Sequence, residues 1–527
     1  MKEKIQKYEQ VARSLDPDSS SREELLSRVI DFADNYLESI DWNLANFRTD
    51  KYDGADLLES PITEKGITIE EALDLIEKNV NMSGVNPTSG RHLGYIPGGG
   101  LFHAALGDYL AAITNRYAAL YSMNPGAVRL ENMLLRWMAK VIGYSPNESA
   151  GNLASGGSLA TLTAIVTARD ARNISQKNAS KAVCYTTSEV HKCVKRALDI
   201  AGLGRCKKPA KGEKLLAIED DYGWRISGLG GCVMREVKVD DRYRMDADAL
   251  RGAINKDKKD GLMPWLVVAS AGTVNTGAVD PLSKIGEIAS THGLWFHVDG
   301  AYGGMFMLCR EGKAVLQGIH LSDSVVLDPH KTLFLPYGSG TTLVRKGKLL
   351  YDTFHTDDDE APYIQNTDSF EDGVGKLSPS NLSPELTKHF RGLRLWLPLK
   401  LLGIVPFRAA LSEKYWLAKY FYEQVGSMPG FEMGPPPDLS IVSFRYRPRR
   451  GDDNEFNKLL RDSIQKDGRI YITGTEVEKV RTGDKLSGGK FLLRVAILNY
   501  RTHLDEINET IGILGRKAKE LEQEWLA

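Results

Sequence analysis

Cysteine is scarce in this 527-residue chain: the five, at positions 184, 193, 206, 232 and 309, form an odd set with no C-x-x-C spacing. That argues against a disulfide framework and against a structural zinc site, so no metal is expected and a reducing compartment fits. Charge of one sign is also lacking, with 68 basic against 69 acidic residues. No overall field would recruit nucleic acid or an anionic membrane, and the one basic run, Arg205-Cys-Lys-Lys-Pro-Ala-Lys211, reads as a solvated loop. No stretch approaches about 18 uninterrupted apolar residues, and the first residues, Met-Lys-Glu-Lys-Ile-Gln-Lys-Tyr, contain no apolar signal core. Neither membrane insertion nor secretion is expected, which makes the expected location cytoplasmic. A hydrophobic content of 42% over this length predicts two or three structural units around a substantial core.

Residues 1–90 read as an N-terminal helical segment, with Leu25, Leu26, Val29, Ile30 and Phe32 set among charges and turn signals at Asp53-Gly54 and Ser60-Pro61. Across 91–400, strand patterns alternate with helical ones, as in Trp265-Leu-Val-Val-Ala-Ser, a helix from Pro281, then Trp295-Phe-His-Val-Asp299. Such alternation predicts a parallel sheet with ligands at the carboxyl ends of its strands. Residues 401–527 read as a small α+β domain, with strands at Asp438–Arg445 and Gly489–Leu498 and a closing helix from about Leu504. The polar stretch 350–380 is the least regular, and reads as a linker or a catalytic lid.

Chemistry concentrates at the strand ends. The run Asp323-Ser-Val-Val-Leu-Asp-Pro-His330-Lys331 delivers a lysine to the end of a buried strand, and Leu294-Trp-Phe-His-Val-Asp299 does the same for a carboxylate. Each alone is an ordinary solvated lysine or turn-forming aspartate. Together they suit an aldehyde cofactor, with an amine to bind it and a carboxylate to keep its ring nitrogen protonated. Ser155-Gly-Gly-Ser158, just ahead of a helical pattern, offers free backbone N–H groups to a phosphate, although Ser158 could equally be a simple cap. No Gly-Lys-Ser/Thr follows, which excludes a nucleotide P-loop. His191 lies where a strand gives way to a helix, and its imidazole could stack on a ring or simply sit half-exposed.

The set Ser155-Gly-Gly-Ser158, Ser188-Glu-Val-His191, His297-Val-Asp-Gly-Ala-Tyr302 and Asp328-Pro-His-Lys331 resembles the pyridoxal 5'-phosphate (PLP)-dependent group II decarboxylases, closest to the aromatic-L-amino-acid decarboxylases. The resemblance implies an α/β architecture of PLP fold type I: a large domain with a mostly parallel seven-stranded sheet, a small C-terminal α+β domain, and a homodimer with active sites at the interface. The N-terminal segment would pack on the partner subunit. Carried over, Lys331 is the Schiff-base lysine, Asp299 the partner of the ring nitrogen and His191 the stacking base. Ala301 lies on the other ring face, Gly157 and Ser158 hold phosphate, Thr273 joins the cofactor set, and His330 sits near the substrate carboxylate and phosphate. A lid tyrosine returns the proton after CO2 leaves; Tyr363 is the best match and Tyr351 a weaker one. Tyr95, Ile96 and Pro97 would wall the substrate pocket, widened by the glycines at 98–100.

The resemblance thus implies decarboxylation of an L-amino acid, with an aromatic one favoured, to an amine and CO2. The alternatives are an aldehyde synthase, a decarboxylase of an acidic amino acid using His92 or Arg91 as the cation, and a non-catalytic dimeric module. Three departures stand out: Asp328 where the family often has Asn, Val274 where a second threonine often follows Gly272-Thr273, and Lys192 where serine often follows the stacking histidine.

Overall fold

The computed structural model describes the chain except for residues 48–52, 205–215, 228–230, 356–368, 479, 483–484 and 527. Tyr363 therefore lies outside the described residues, as do Cys206 and the basic run.

The central sheet has the order β1-β9-β8-β7-β6-β2-β5-β4-β3. Its strands are β1 (Ala150–Ala154), β2 (Ala182–Thr186), β3 (Leu216–Asp220), β4 (Gly223–Ser227), β5 (Val233–Val237), β6 (Met263–Ser270), β7 (Trp295–Asp299), β8 (Ser324–Leu327) and β9 (Gly340–Val344). From β5 through β2, β6 and β7 to β8 every pairing is parallel, while β9 runs antiparallel to both β8 and β1. That is the expected mostly parallel seven-stranded sheet, here extended at one edge by the antiparallel hairpin β3–β4, which sequence reasoning missed.

Parallel strands covered on both faces are apolar throughout, and β2 and β8 are buried along their whole length. Side chains alternate between two cores, so Val183, Tyr185, Val267 and Phe296 join one, and Cys184, Leu266, Val268 and Trp295 the other. The small domain has its own four-stranded sheet (Phe431–Met433, Ile441–Tyr446, Lys490–Ala496 and Thr473–Val477 in spatial order) and a third core. The domains interpenetrate at their junction. On the helix Val405–Gly426, Phe407 and Leu411 join the large-domain core, whereas Leu417, Phe421 and Val425 join the small-domain core. Leu93 also belongs to the latter, its backbone bonded to Tyr471 and Ala496. The helices Lys2–Ala12 and Ser19–Ser39 bury no residue, leaving Leu25, Leu26, Val29 and Ile30 exposed.

One buried ion pair ties β1 to the helix Pro125–Ile142 and to the segment ahead of the helix Gly392–Leu402. Lys388 Nζ lies 2.9 Å from Glu131 Oε2, both side chains fully buried, and donates to Asn152 Oδ1 and the Leu153 carbonyl. Removing one partner strands a charge in low dielectric, so Glu131→Ala should cost about 3–5 kcal/mol. In denaturant titration, the double change Glu131→Met with Lys388→Met should recover most of that loss; a double variant no more stable than the single would show that the pair is not the cause.

Candidate active site

Five strand ends converge on one cleft. β1 runs out into Ser155–Ser158, β2 into His191, β6 into Gly272-Thr273, β7 ends on Asp299, and β8 leads to Asp328-Pro-His-Lys331. The cavity between them, ≈ 440 Å³, is lined by Gly157, Ser158, His191, Thr273, Asp299, Ala301, His330 and Lys331. That volume suits a small organic ligand.

Local chemistry fixes each group. The helix Gly157–Ala171 starts at Gly156 with no side chain capping it, so its first N–H groups are left to an anion. A Cβ at Gly157 would lie 2.8 Å from Asp328 Oδ2, so a side chain there would have to displace that carboxylate. His191 caps the helix Lys192–Ile200, its Nδ1 accepting from the Cys193 N–H at 3.3 Å. The neutral ring therefore carries its proton on Nε2. His191 Nδ1 or Nε2, Cys193 Sγ and an Asp299 oxygen lie within 4.8 Å of one another, and Asp299 Oδ1 also accepts from the Ala301 N–H.

Lys331 sits on the single helical turn Pro329–Thr332. Phe334, held with φ at +62°, ends that turn and offers its carbonyl to the Leu101 N–H at 2.7 Å. Lys331 Nζ is 2.9 Å from Oδ2 of the buried Asp328. Burial pushes the ammonium pKa down, but Asp328 by charge and hydrogen bond, with Asp299 behind it, more than reverses this, and the net shift is upward. His330 Nδ1 donates to the Ser339 carbonyl, which leaves Nε2 of the neutral ring as an acceptor. Burial lowers the pKa of both His330 and His191, opposed in part by Asp328 and Asp299 respectively.

Other expected residues lie elsewhere. Ile96 is packed into the large-domain core, and neither it nor the buried Pro97 lines the cleft. Tyr95 instead borders an adjoining cavity of ≈ 340 Å³ with Val274, Asn275, Tyr471 and Arg494. Two of the three glycines do not widen a pocket: a Cβ at Gly98 would lie 2.3 Å from the His330 carbonyl oxygen, and one at Gly99 2.3 Å from Asn499 Oδ1, whereas one at Gly100 would meet nothing within 4 Å. Gly98 is needed for that close backbone packing, while Gly99 and Gly100 adopt positive φ. Sequence reasoning passed over Thr161, Glu189, Cys193 and Tyr337, all on the cleft wall. Cys193, two residues past His191 on the same helix turn, was the most accessible of these to a spacing argument.

The description "Pyridoxal-dependent decarboxylase conserved domain" matches residues 55–447. An aromatic-L-amino-acid decarboxylase of Bacillus atrophaeus is 30% identical over 475 residues, covering 89% of this chain and 90% of the relative. This chain belongs to the pyridoxal-dependent decarboxylase family.

A phenylacetaldehyde synthase of Arabidopsis thaliana is 25% identical over 471 residues, with 86% of this chain and 87% of the relative covered. The solved structure described as "Oryza sativa TDC with PLP and tryptamine" superposes with a TM-score of 0.82 at 21% identity, covering 96% of this chain and 99% of that one. The enzyme is therefore a PLP-dependent decarboxylase, and its residues fit that cofactor: an uncapped helix start for the phosphate, an amine for the aldehyde, a carboxylate at a strand end and a flat imidazole, all in one cavity.

Both imidazoles should stay neutral until the pH falls below the ordinary histidine value of 6.5. Protonation then adds positive charge to the cleft, so a pH series of cofactor absorbance should keep its acid limb below that value. An acid limb at or above it would contradict the burial of these rings.

Proposed function

We propose that this decarboxylase converts an aromatic L-amino acid to its amine and CO2. The observation that carries the reading is the meeting of Lys331, Asp299, His191 and the start of the helix Gly157–Ala171 in one cleft. Lys331 would bind the cofactor aldehyde, Gly157 and Ser158 its phosphate, and Asp299 would hold the proton on its ring nitrogen. His191 and Ala301 would flank the ring, with Thr273 and His330 completing the cofactor set. Bound there, PLP supplies an electron sink for the carbanion left when CO2 departs.

The chain's own groups do the rest. Asp299 sustains the sink by keeping positive charge on the ring nitrogen. His330, neutral and presenting Nε2 as an acceptor, can orient the substrate beside the phosphate and exchange a proton with it. The lid tyrosine, for which Tyr363 is the candidate, would return a proton to Cα.

The two cations first named for an acidic substrate are engaged, so such a substrate would have to pair with Arg461 or Arg494, which border the adjoining cavity. Arg91 Nη2 donates to the Asp41 and Asn43 carbonyls at 2.8 and 2.9 Å, with Nη1 3.6 Å from Glu509. Burial lowers the His92 pKa to about 4, and its ring stacks on Tyr471 at 5.1 Å. Tyr95 and Tyr471 give the adjoining cavity an aromatic border. The aldehyde synthase reading remains as the second, supported by the phenylacetaldehyde synthase relative. The apolar residues left bare on the helix Ser19–Ser39 support a homodimer in which this segment covers the partner, and a cytoplasmic location completes the proposal.

Purified protein supplied with PLP and a panel of aromatic, acidic and basic amino acids should release CO2 and one aromatic amine, followed by mass. Aldehyde with peroxide would replace this reading by the synthase. Lys331→Ala should abolish the absorbance band of the lysine-bound cofactor, and normal absorbance with turnover would refute that assignment. Tyr363→Phe should divert product from amine toward aldehyde; an unchanged amine yield would move the proton donor elsewhere.

A further inference from the structure

The carboxylate at position 328 stands where the cofactor lysine's own counter-ion would stand. Asp328 is 2% exposed, its Oδ2 lies 2.9 Å from Lys331 Nζ, and its Oδ1 is buried with no hydrogen-bond partner. We propose that Asp328 is a positioning residue that pairs with Lys331 whenever the lysine is not bonded to the cofactor aldehyde, and so favours handing that aldehyde to the substrate amine. This rests on Lys331 being the cofactor lysine.

The argument is one of charge placement. In the exchange, the bond from Nζ to the aldehyde carbon breaks and the bond from the substrate nitrogen to the same carbon forms. Two protons pass from the incoming ammonium to Nζ, so no net charge is created. What changes is where the ammonium sits. A partly buried ammonium without a partner is disfavoured by desolvation, and Asp328 supplies the partner at hydrogen-bond distance. In the bonded state Nζ carries at most one proton instead of three, so the pairing is strongest when the lysine is free.

The other groups facing this pair do not replace Asp328. His330 Nε2 is 3.8 Å from Asp328 Oδ2, and its pKa is lowered by burial, as is that of His191 at the start of the helix Lys192–Ile200. Cys193 is pushed up to about 12 by burial and stays a thiol. Arg394 acts on His330 and is engaged with Asp108 at 2.7 Å. Asp299 also raises the Lys331 pKa, ranking behind Asp328 in doing so.

The test uses cofactor-free protein and pyridoxal, which has the aldehyde but no phosphate, followed by absorbance at pH 8. Asp328→Asn removes the counter-ion, the lysine pKa falls, and a larger fraction is neutral and able to attack. Capture should become faster and tighter, about tenfold for each unit of pKa lost. Methylamine added to the lysine-bound cofactor should displace Lys331 less readily by a comparable factor. Damage to the site would slow capture, so the expected gain cannot be mistaken for misfolding. Asp328→Ser, removing the same charge with a smaller side chain, should behave alike, and Asp328→Glu should restore much of the wild-type behaviour. Equal or weaker capture by both uncharged variants would overturn the role of Asp328 alone. Capture surviving in Lys331→Ala would instead overturn the lysine assignment, and the inference with it.

Discussion

The backbone of Gly98 rests directly on the carbonyl of His330, with no room between them for a single carbon. That contact governs the reactive end of the molecule. It presses the segment from Arg91 to Leu101 over the turn that carries Lys331, and the same segment is held from the other side by the small domain. Arg501 Nη1 donates to the Gly99 carbonyl at 2.8 Å, and the Leu93 backbone pairs with Tyr471 and Ala496. The turn itself has no freedom to yield, because Pro329 opens it and Phe334, in the left-handed region, closes it. A lysine on a long, flexible side chain is thus placed by a backbone clamped between two domains.

The clamp sets an electrostatic problem that the fold answers in two ways. Among the cofactor-set and neighbouring residues, Asp299 and Asp328 are carboxylates that open into a cleft whose cation in that set is Lys331, since both imidazoles there are held toward neutrality by burial. The helix Gly157–Ala171 contributes positive potential from its uncapped start, which suits a phosphate despite the nearby carboxylate. The two acids are kept apart in function by neighbourhood: Asp299 shares its surroundings with His191 and Cys193, whereas Asp328 is against Lys331.

What was legible in the sequence was what local patterning determines. Strand ends followed by glycine, serine or a short turn are read along the chain, and the parallel sheet then gathers them at one edge without further assumption. The positions of Lys331, Asp299, His191, Gly157 and Ser158 around one cavity follow from that rule. The facing of Ile96 does not, because whether an apolar residue looks into a cleft or into a core depends on what packs over it. Gly98 misled for a related reason: absence of a side chain reads equally as space for a ligand or space for another backbone, and only the His330 carbonyl decides between them. The pair Glu131–Lys388 was invisible because its partners are far apart in sequence and each looks like a surface charge. The hairpin β3–β4 escaped because short antiparallel strands with exposed residues, as in β3, carry little periodic signal.

The strand-end cleft and the cavity beside it draw on different parts of the fold. The cofactor cleft is built from strand ends of the large domain, but the adjoining cavity draws Tyr471, Thr473, Thr475 and Arg494 from the small one. Val274 borders both, and its carbonyl accepts from Arg494 Nε at 2.7 Å. Asn275 extends the link, donating to Glu189 on the cleft wall and accepting from Thr475. The loop that carries Thr273 is therefore positioned by small-domain side chains as much as by its own strand. Arg494 and Thr475 thus reach the cleft wall through Val274 and Asn275, whereas Tyr471 and Thr473 border only the adjoining cavity, so the two sets of small-domain contacts are physically distinct.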